Sequence, residues 1–119
     1  MSLDETRAVS PQDQGRVAAP KAALVVVHSA DREQQGQRFA LGEDDATLGR
    51  DAGNTVVVAS DQASRRHARI FVSGGVHVLV DLESTNGTFL NSKLVKEQTL
   101  RHGDVLRIAS TVLKYVVES

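Results

Sequence analysis

The chain has 119 residues, 40% of them apolar and 24% charged, an ordinary composition for one globular domain. It lacks cysteine, which excludes disulfides, Cys-ligated zinc, Fe–S clusters and thiol catalysis and fits a cytoplasmic protein. A net charge of −1, no Trp, one Tyr and three Phe argue against a global match to DNA or an anionic membrane and against a stacking platform for single-stranded nucleic acid. No apolar run approaches the roughly 18 residues of a membrane span, and the N-terminus lacks the apolar core of a secretion signal.

Residues 1–22 are polar, Ala/Gln-rich, hold both prolines (Pro11 and Pro20) and lack a sustained apolar period, so they read as a disordered tail. From Ala23 the pattern turns to β. Short strands are expected over 23–29, 37–41, 47–50, 55–59, 68–73, 76–82, 88–91, 93–95, 98–100, 105–109 and 111–117. Gly74-Gly75 suits a primed hairpin turn, and Asn91-Ser92 marks a second tight hairpin. Strict alternation sets Val76, Val78 and Val80 on one face and His77, Leu79 and Asp81 on the other, as in a sheet with one dry side. No window carries the 10–15-residue amphipathic helix that an α/β fold needs, so the expectation is an all-β sandwich or barrel over 23–119.

Three loops hold the unusual residues. The first is Gly49-Arg50 at a strand end, followed by DAGN. The second is Ser64-Arg65-Arg66-His67 before a strand. The third runs from Asp81 through Ser84-Thr85-Asn86-Gly87 to Thr88, and Arg101-His102-Gly103-Asp104 makes a later turn.

In the order TLGR, SRRHA, DLESTNGTFLN and HGDVLRIA, the chain resembles the forkhead-associated (FHA) domain family, over about residues 23–119. The resemblance implies an eleven-stranded, mainly antiparallel β-sandwich that binds phosphothreonine peptides through loops at one end. It also implies ligand contacts from Arg50, Ser64, Arg65, Thr85 and Asn86, structural support from Gly49 and His67, and a small niche favouring phosphothreonine over phosphoserine. Two positions depart from the family pattern: Ser92 and Ala109 stand where glycine is common. Because Ser at positive φ costs roughly 1–2 kcal/mol, another turn type is expected at Ser92.

The residue chemistry supports the same role. Phosphothreonine brings about −1.5 to −2 charge and three acceptor oxygens. Arg50 offers a planar fork for two of them, Ser64 a hydroxyl donor, and Asn86 a donor and an acceptor for an extended backbone. Gly87 tolerates the positive φ needed to aim Asn86 outward. Of the adjacent arginines, Arg65 is expected to face the ligand. Three or four charge-assisted bonds, less the cost of ordering a peptide, suggest a dissociation constant on the order of micromolar.

Other chemistries fit less well. A Ser64–His67–Asp81 triad would place side chains three apart on opposite faces of extended chain, and there is no nucleophile elbow. His28, His67, His77 and His102 lie on separate elements without ligand spacing, so no metal and no cofactor is expected. The basic run from Arg65 to Arg69 is offset by Glu43, Asp44, Asp45, Asp51 and Asp61, which disfavours nucleic acid. The chain therefore reads as a non-enzymatic, monomeric signalling module whose partner is the phosphothreonine-bearing substrate of a Ser/Thr kinase. The alternative is an FHA-like sandwich used for phospho-independent interaction or oligomerisation. Arg outnumbers Lys ten to four, which points to a bacterial source. Thr6, the only threonine of the tail, follows Asp4-Glu5 and is a candidate phosphorylation site that could occupy the domain's own pocket.

Overall fold

The computed structural model describes residues 18–118. The expected tail falls mostly on residues 1–17, and Thr6 with it, outside the described residues. Eleven strands follow one another: β1 (Ala22–His28), β2 (Arg38–Leu41), β3 (Ala46–Gly49), β4 (Val56–Val57), β5 (Ala68–Ser73), β6 (Val76–Asp81), β7 (Thr88–Leu90), β8 (Lys93–Val95), β9 (Glu97–Thr99), β10 (Val105–Ile108) and β11 (Thr111–Val117). They form two sheets, one in the order β2-β1-β11-β10-β7-β8 and the other β4-β3-β5-β6-β9. Every pairing is antiparallel except β3 with β4. The eleven-stranded sandwich expected from the resemblance is thus the observed architecture.

The core lies between the sheets. Leu24 and Val26 on β1, Leu48 on β3, Ile70 on β5, Leu106 and Ile108 on β10, and Leu113 and Tyr115 on β11 are all essentially inaccessible. Each alternates with an exposed or half-buried neighbour along its strand, as period-2 patterning requires. On β6 the inward side carries His77 and Leu79, but burial does not alternate strictly as the sequence indicates: Val78, on the other face, is buried as well. Val76 is left 39% exposed. Burial of His77 is possible because both ring nitrogens are satisfied: Nδ1 lies 2.7 Å from Tyr115 Oη and Nε2 lies 2.9 Å from the Gly42 carbonyl. Tyr115 belongs to the opposite sheet, so this bond ties the two layers together. Burial, with a smaller contribution from Asp104, raises the Tyr115 phenol above its ordinary pKa.

The hairpin turns hold two findings. Gly74 and Gly75 both adopt positive φ, as a primed turn demands. Asn91 and Ser92 do the same, with φ of 51° and 70°, so the turn does not change type to relieve Ser92. Its geometry is imposed by the β7–β8 register, Leu90 opposite Lys93, and by the Asn91 side chain. Asn91 Oδ1 accepts from Val105 N at 3.0 Å, and Nδ2 donates to Asp104 at 2.9 Å. Ala109 likewise takes φ of 55° between β10 and β11.

The expected strand over 55–59 shrinks to Val56–Val57, because Ser60 N folds back on the Val58 carbonyl at 2.9 Å and ends the run. A single 3-10 turn, Arg32–Gln34, is capped by the Asp31 carboxylate. Gln34 is buried there and donates to the Val57 carbonyl at 2.5 Å, fastening the β1–β2 connection to the short edge strand β4.

Candidate functional site

The unusual loops gather at one end of the sandwich. β3 and the segment before β5 are zipped beyond the regular ladder: His67 N donates to Leu48 O at 2.8 Å, Arg50 N to Ser64 O at 3.0 Å and Asp51 N to Arg65 O at 3.2 Å. This brings the backbones so close that a Cβ on Gly49 would collide with the Arg65 carbonyl. Glycine at 49 is therefore a requirement of close approach.

His67 is completely buried beneath these loops. Its Nδ1 accepts from Ser64 N at 3.0 Å, which makes Nε2 the protonated nitrogen, and Nε2 donates to the Gly87 carbonyl at 2.8 Å. One ring thus joins the Ser64 loop to the Asn86 loop. Both nitrogens are spent on backbone, and Ser64 Oγ accepts from Thr85 N at 3.0 Å, so there is no serine–histidine bond of a hydrolytic triad. The other histidines stand apart: His28 is exposed, His77 is in the core, and His102 accepts from Val117 N.

The third loop is organised by Asp81. Its Oδ1 accepts from Ser84 Oγ at 2.5 Å and Thr88 Oγ1 at 2.7 Å, and Ser84 Oγ in turn accepts from Gly87 N at 2.9 Å. Desolvation pushes the Asp81 carboxyl up, but the hydrogen bonds from Ser84 and Thr88 and the proximity of His67 outweigh it and leave it below its ordinary value. Gly87 takes φ of 89°, and the chain turns there, leaving Thr85 and Asn86 exposed.

Arg50, Ser64, Arg65, Thr85 and Asn86 all line one open concavity of about 460 Å³, together with Arg66 and Asp61. Arg50 Nε donates to the Ala63 carbonyl at 3.1 Å, so the guanidinium is tethered on one side while its terminal nitrogens are not engaged by any carboxylate among the described residues. The Ser64 hydroxyl accepts within the protein and keeps its own hydrogen to donate. Asn86 Nδ2 donates to the Gln62 carbonyl at 2.7 Å, which fixes the carboxamide and leaves Oδ1 and the second N–H without a partner among the described residues. Arg65 and Arg66 are both exposed on the rim, so the choice of Arg65 over Arg66 has no counterpart in this geometry. Three guanidinium groups against one carboxylate give the concavity a net positive charge.

Asn54 is a positioning residue that sequence reasoning missed. It is buried, and its Nδ2 bridges the Asp51 carbonyl at 2.9 Å and the Arg65 carbonyl at 2.8 Å, clamping the first loop to the second. Its only sequence signal is an Asn after Gly53, which reads as an ordinary turn.

A family model described as the FHA domain matches residues 46–109, a span that contains every residue of the concavity. The chain is 38% identical over 80 residues to the FHA domain-containing protein FhaB of Mycolicibacterium smegmatis, covering 66% of this chain and 52% of that protein. It is 32% identical over 94 residues to the glycogen accumulation regulator GarA of the same organism, covering 79% and 58%. The chain thus spans about half the length of the curated relatives it matches. A structure solved in a structural and functional analysis of phosphothreonine-dependent FHA domain interactions aligns with a TM-score of 0.73 at 30% identity, covering 83% of this chain and 98% of that one.

Proposed function

Since the chain belongs to the FHA-domain family, we propose that it is a phosphothreonine-dependent peptide- and protein-binding module that catalyses no reaction. The observation that carries this reading is the convergence of Arg50, Ser64 and Asn86, from three separate loops, on one concavity. Arg50 and the Ser64 hydroxyl take the phosphate oxygens, and Arg65 adds positive charge at the rim. Asn86 pairs with the ligand backbone, and Thr85 shapes the wall beside it. Gly49, His67 and Gly87 hold these loops in place without touching the ligand. The similarity to a structure from an analysis of phosphothreonine-dependent interactions supports the same assignment.

The partner is a protein phosphorylated on threonine by a Ser/Thr kinase. We place the module, as a monomer, in the cytoplasm; separately, among the described residues no helix is long and apolar enough to cross a membrane. Phosphorylated Thr6, outside the described residues, is the second occupant we propose, in cis; a short flexible linker in general supplies an effective concentration near millimolar.

Calorimetric titration with a phosphothreonine peptide and its unphosphorylated twin tests the assignment. The phosphopeptide is expected to bind with a dissociation constant of about micromolar and the twin not measurably. Equal binding of both would overturn it. Shift mapping on Thr6-phosphorylated protein tests the cis contact: unmoved signals from Arg50, Ser64 and Asn86 would reject it.

A further inference from the structure

Among the described residues, Leu94 is the most exposed large apolar side chain, at 63%. It sits on β8, the edge of the six-stranded sheet, where natural proteins favour charge over bulk hydrophobics. Its Cδ1 lies against Gly87 so closely that a Cβ there would clash with it, and Gly87 follows Asn86 directly in the chain. Leu94 pairs with Phe89, Phe89 with Arg107, and Arg107 with Val112. These four side chains alternate with the buried Leu90, Leu106, Ile108 and Leu113, so they form a row on the outward face, crossing β8, β7, β10 and β11. The Arg107 guanidinium lies 4.2 Å from the Phe89 ring centre and has no carboxylate partner among the described residues. Val105, 37% exposed, joins Arg107 and Val112 around a shallow concavity of about 430 Å³.

We infer that this row is a second docking surface for the same phosphoprotein, reached by the chain flanking the phosphothreonine. The inference rests on the functional reading above. Continuity selects the occupant: the row begins in contact with the loop that carries Asn86, so a ligand held there brings its own flank to Leu94. Charge selects its chemistry: apolar side chains against Leu94 and Phe89, and a carboxylate to Arg107. Three interstrand steps span about 14 Å, a distance that four or five extended residues cover. Tethering makes the second contact intramolecular, so a few apolar contacts suffice to raise affinity.

The test uses the full chain and synthetic phosphothreonine peptides: a seven-residue core, and versions extended by eight residues carrying Leu, Val and Glu on either the N- or the C-terminal side. One extended peptide is expected to bind about tenfold tighter than the core. Leu94→Ser abolishes that gain and leaves the core peptide unchanged, and Arg107→Glu abolishes it until the peptide Glu is replaced by Lys. A core peptide that binds while neither extension adds affinity overturns the inference and leaves the functional reading intact. So does a gain that survives Leu94→Ser. A concentration-dependent dimer dissolved by Leu94→Ser assigns the row to a second copy of the chain and likewise overturns it. Failure of every phosphopeptide to bind removes the functional reading, and the inference with it.

Discussion

Among the described residues the exposed Arg50 side chain is held only through its Nε, so truncating it removes the proposed ligand contacts without opening the core. Arg50→Ala is expected to weaken phosphopeptide binding by about 2–4 kcal/mol in calorimetry. Its effect on the melting temperature stays within that of an ordinary surface change, about 0.5 kcal/mol. His67 behaves in the opposite way. His67→Ala strands Ser64 N and the Gly87 carbonyl and leaves a void, a cost of about 2–4 kcal/mol that a thermal melt reads as a drop on the order of ten degrees. Asp81 adds a pH dependence. Its carboxyl titrates below the ordinary 3.8, so the folded state binds its proton more weakly than the unfolded state. That stabilisation is fully present well above the unfolded value of 3.8 and is lost as pH falls through the lower folded value. The stability advantage of wild type over Asp81→Asn in denaturant melts is expected to be about 1–2 kcal/mol at pH 7, moderated by partial exposure. It shrinks as pH falls below 3.8 through the lower folded value.

The strands act on the site through their ends. β3 and β5 pair from Ala46 opposite Ile70 to Leu48 opposite Ala68; that register would set Arg50 opposite Arg66, but past the ladder it slips by two residues and Arg50 N bonds the Ser64 carbonyl instead. The remote β7–β8 hairpin shows what register can impose on a turn. Its Ser92, at φ of 70°, stores strain that a glycine would not. Ser92→Gly is expected to raise stability by about 0.5–1 kcal/mol, the relief of left-handed strain less the entropy glycine loses on folding. The turn lies at the end of β7 away from Gly87, so affinity for the seven-residue core phosphopeptide measured on the same variant stays unchanged.

For the whole molecule, the sandwich is a rigid stand and the site is a set of loops at its rim. The sheets are joined by a dry core and by the His77–Tyr115 bond, and the loops are joined by backbone bonds, the His67 bridge and the Asn54 clamp. A ligand that binds only the assembled loops must therefore stabilise the entire fold. With phosphopeptide at a hundred times its dissociation constant, the added stability is about 2.7 kcal/mol. For a domain of this size a melting curve records that as a rise on the order of ten degrees. The unphosphorylated twin leaves the curve in place, so a thermal shift checks the functional reading at the scale of the whole chain.

Sequence alone determined most of the strand inventory, the glycine hairpin and the residues that line the concavity. The first two are local properties, alternation with period two and glycine where φ is positive, whereas Arg50, Ser64, Arg65, Thr85 and Asn86 are identified through the resemblance of their ordered motifs to the FHA family. Tertiary structure decided the rest. Alternation divides β6 into two faces but cannot say which is inward; His77 turned in because Tyr115 and Gly42, far away in sequence, satisfy its ring. Gly49 needed its glycine because the Arg65 carbonyl crosses over it. Asn54 became a clamp, Gln34 fastened a distant edge strand, and Leu94 came to rest against Gly87. None of these has a period or a motif, because each is a contact between segments brought together by sheet pairing. Long-range register, set by the packing of the two sheets, is a property that no local window of sequence contains.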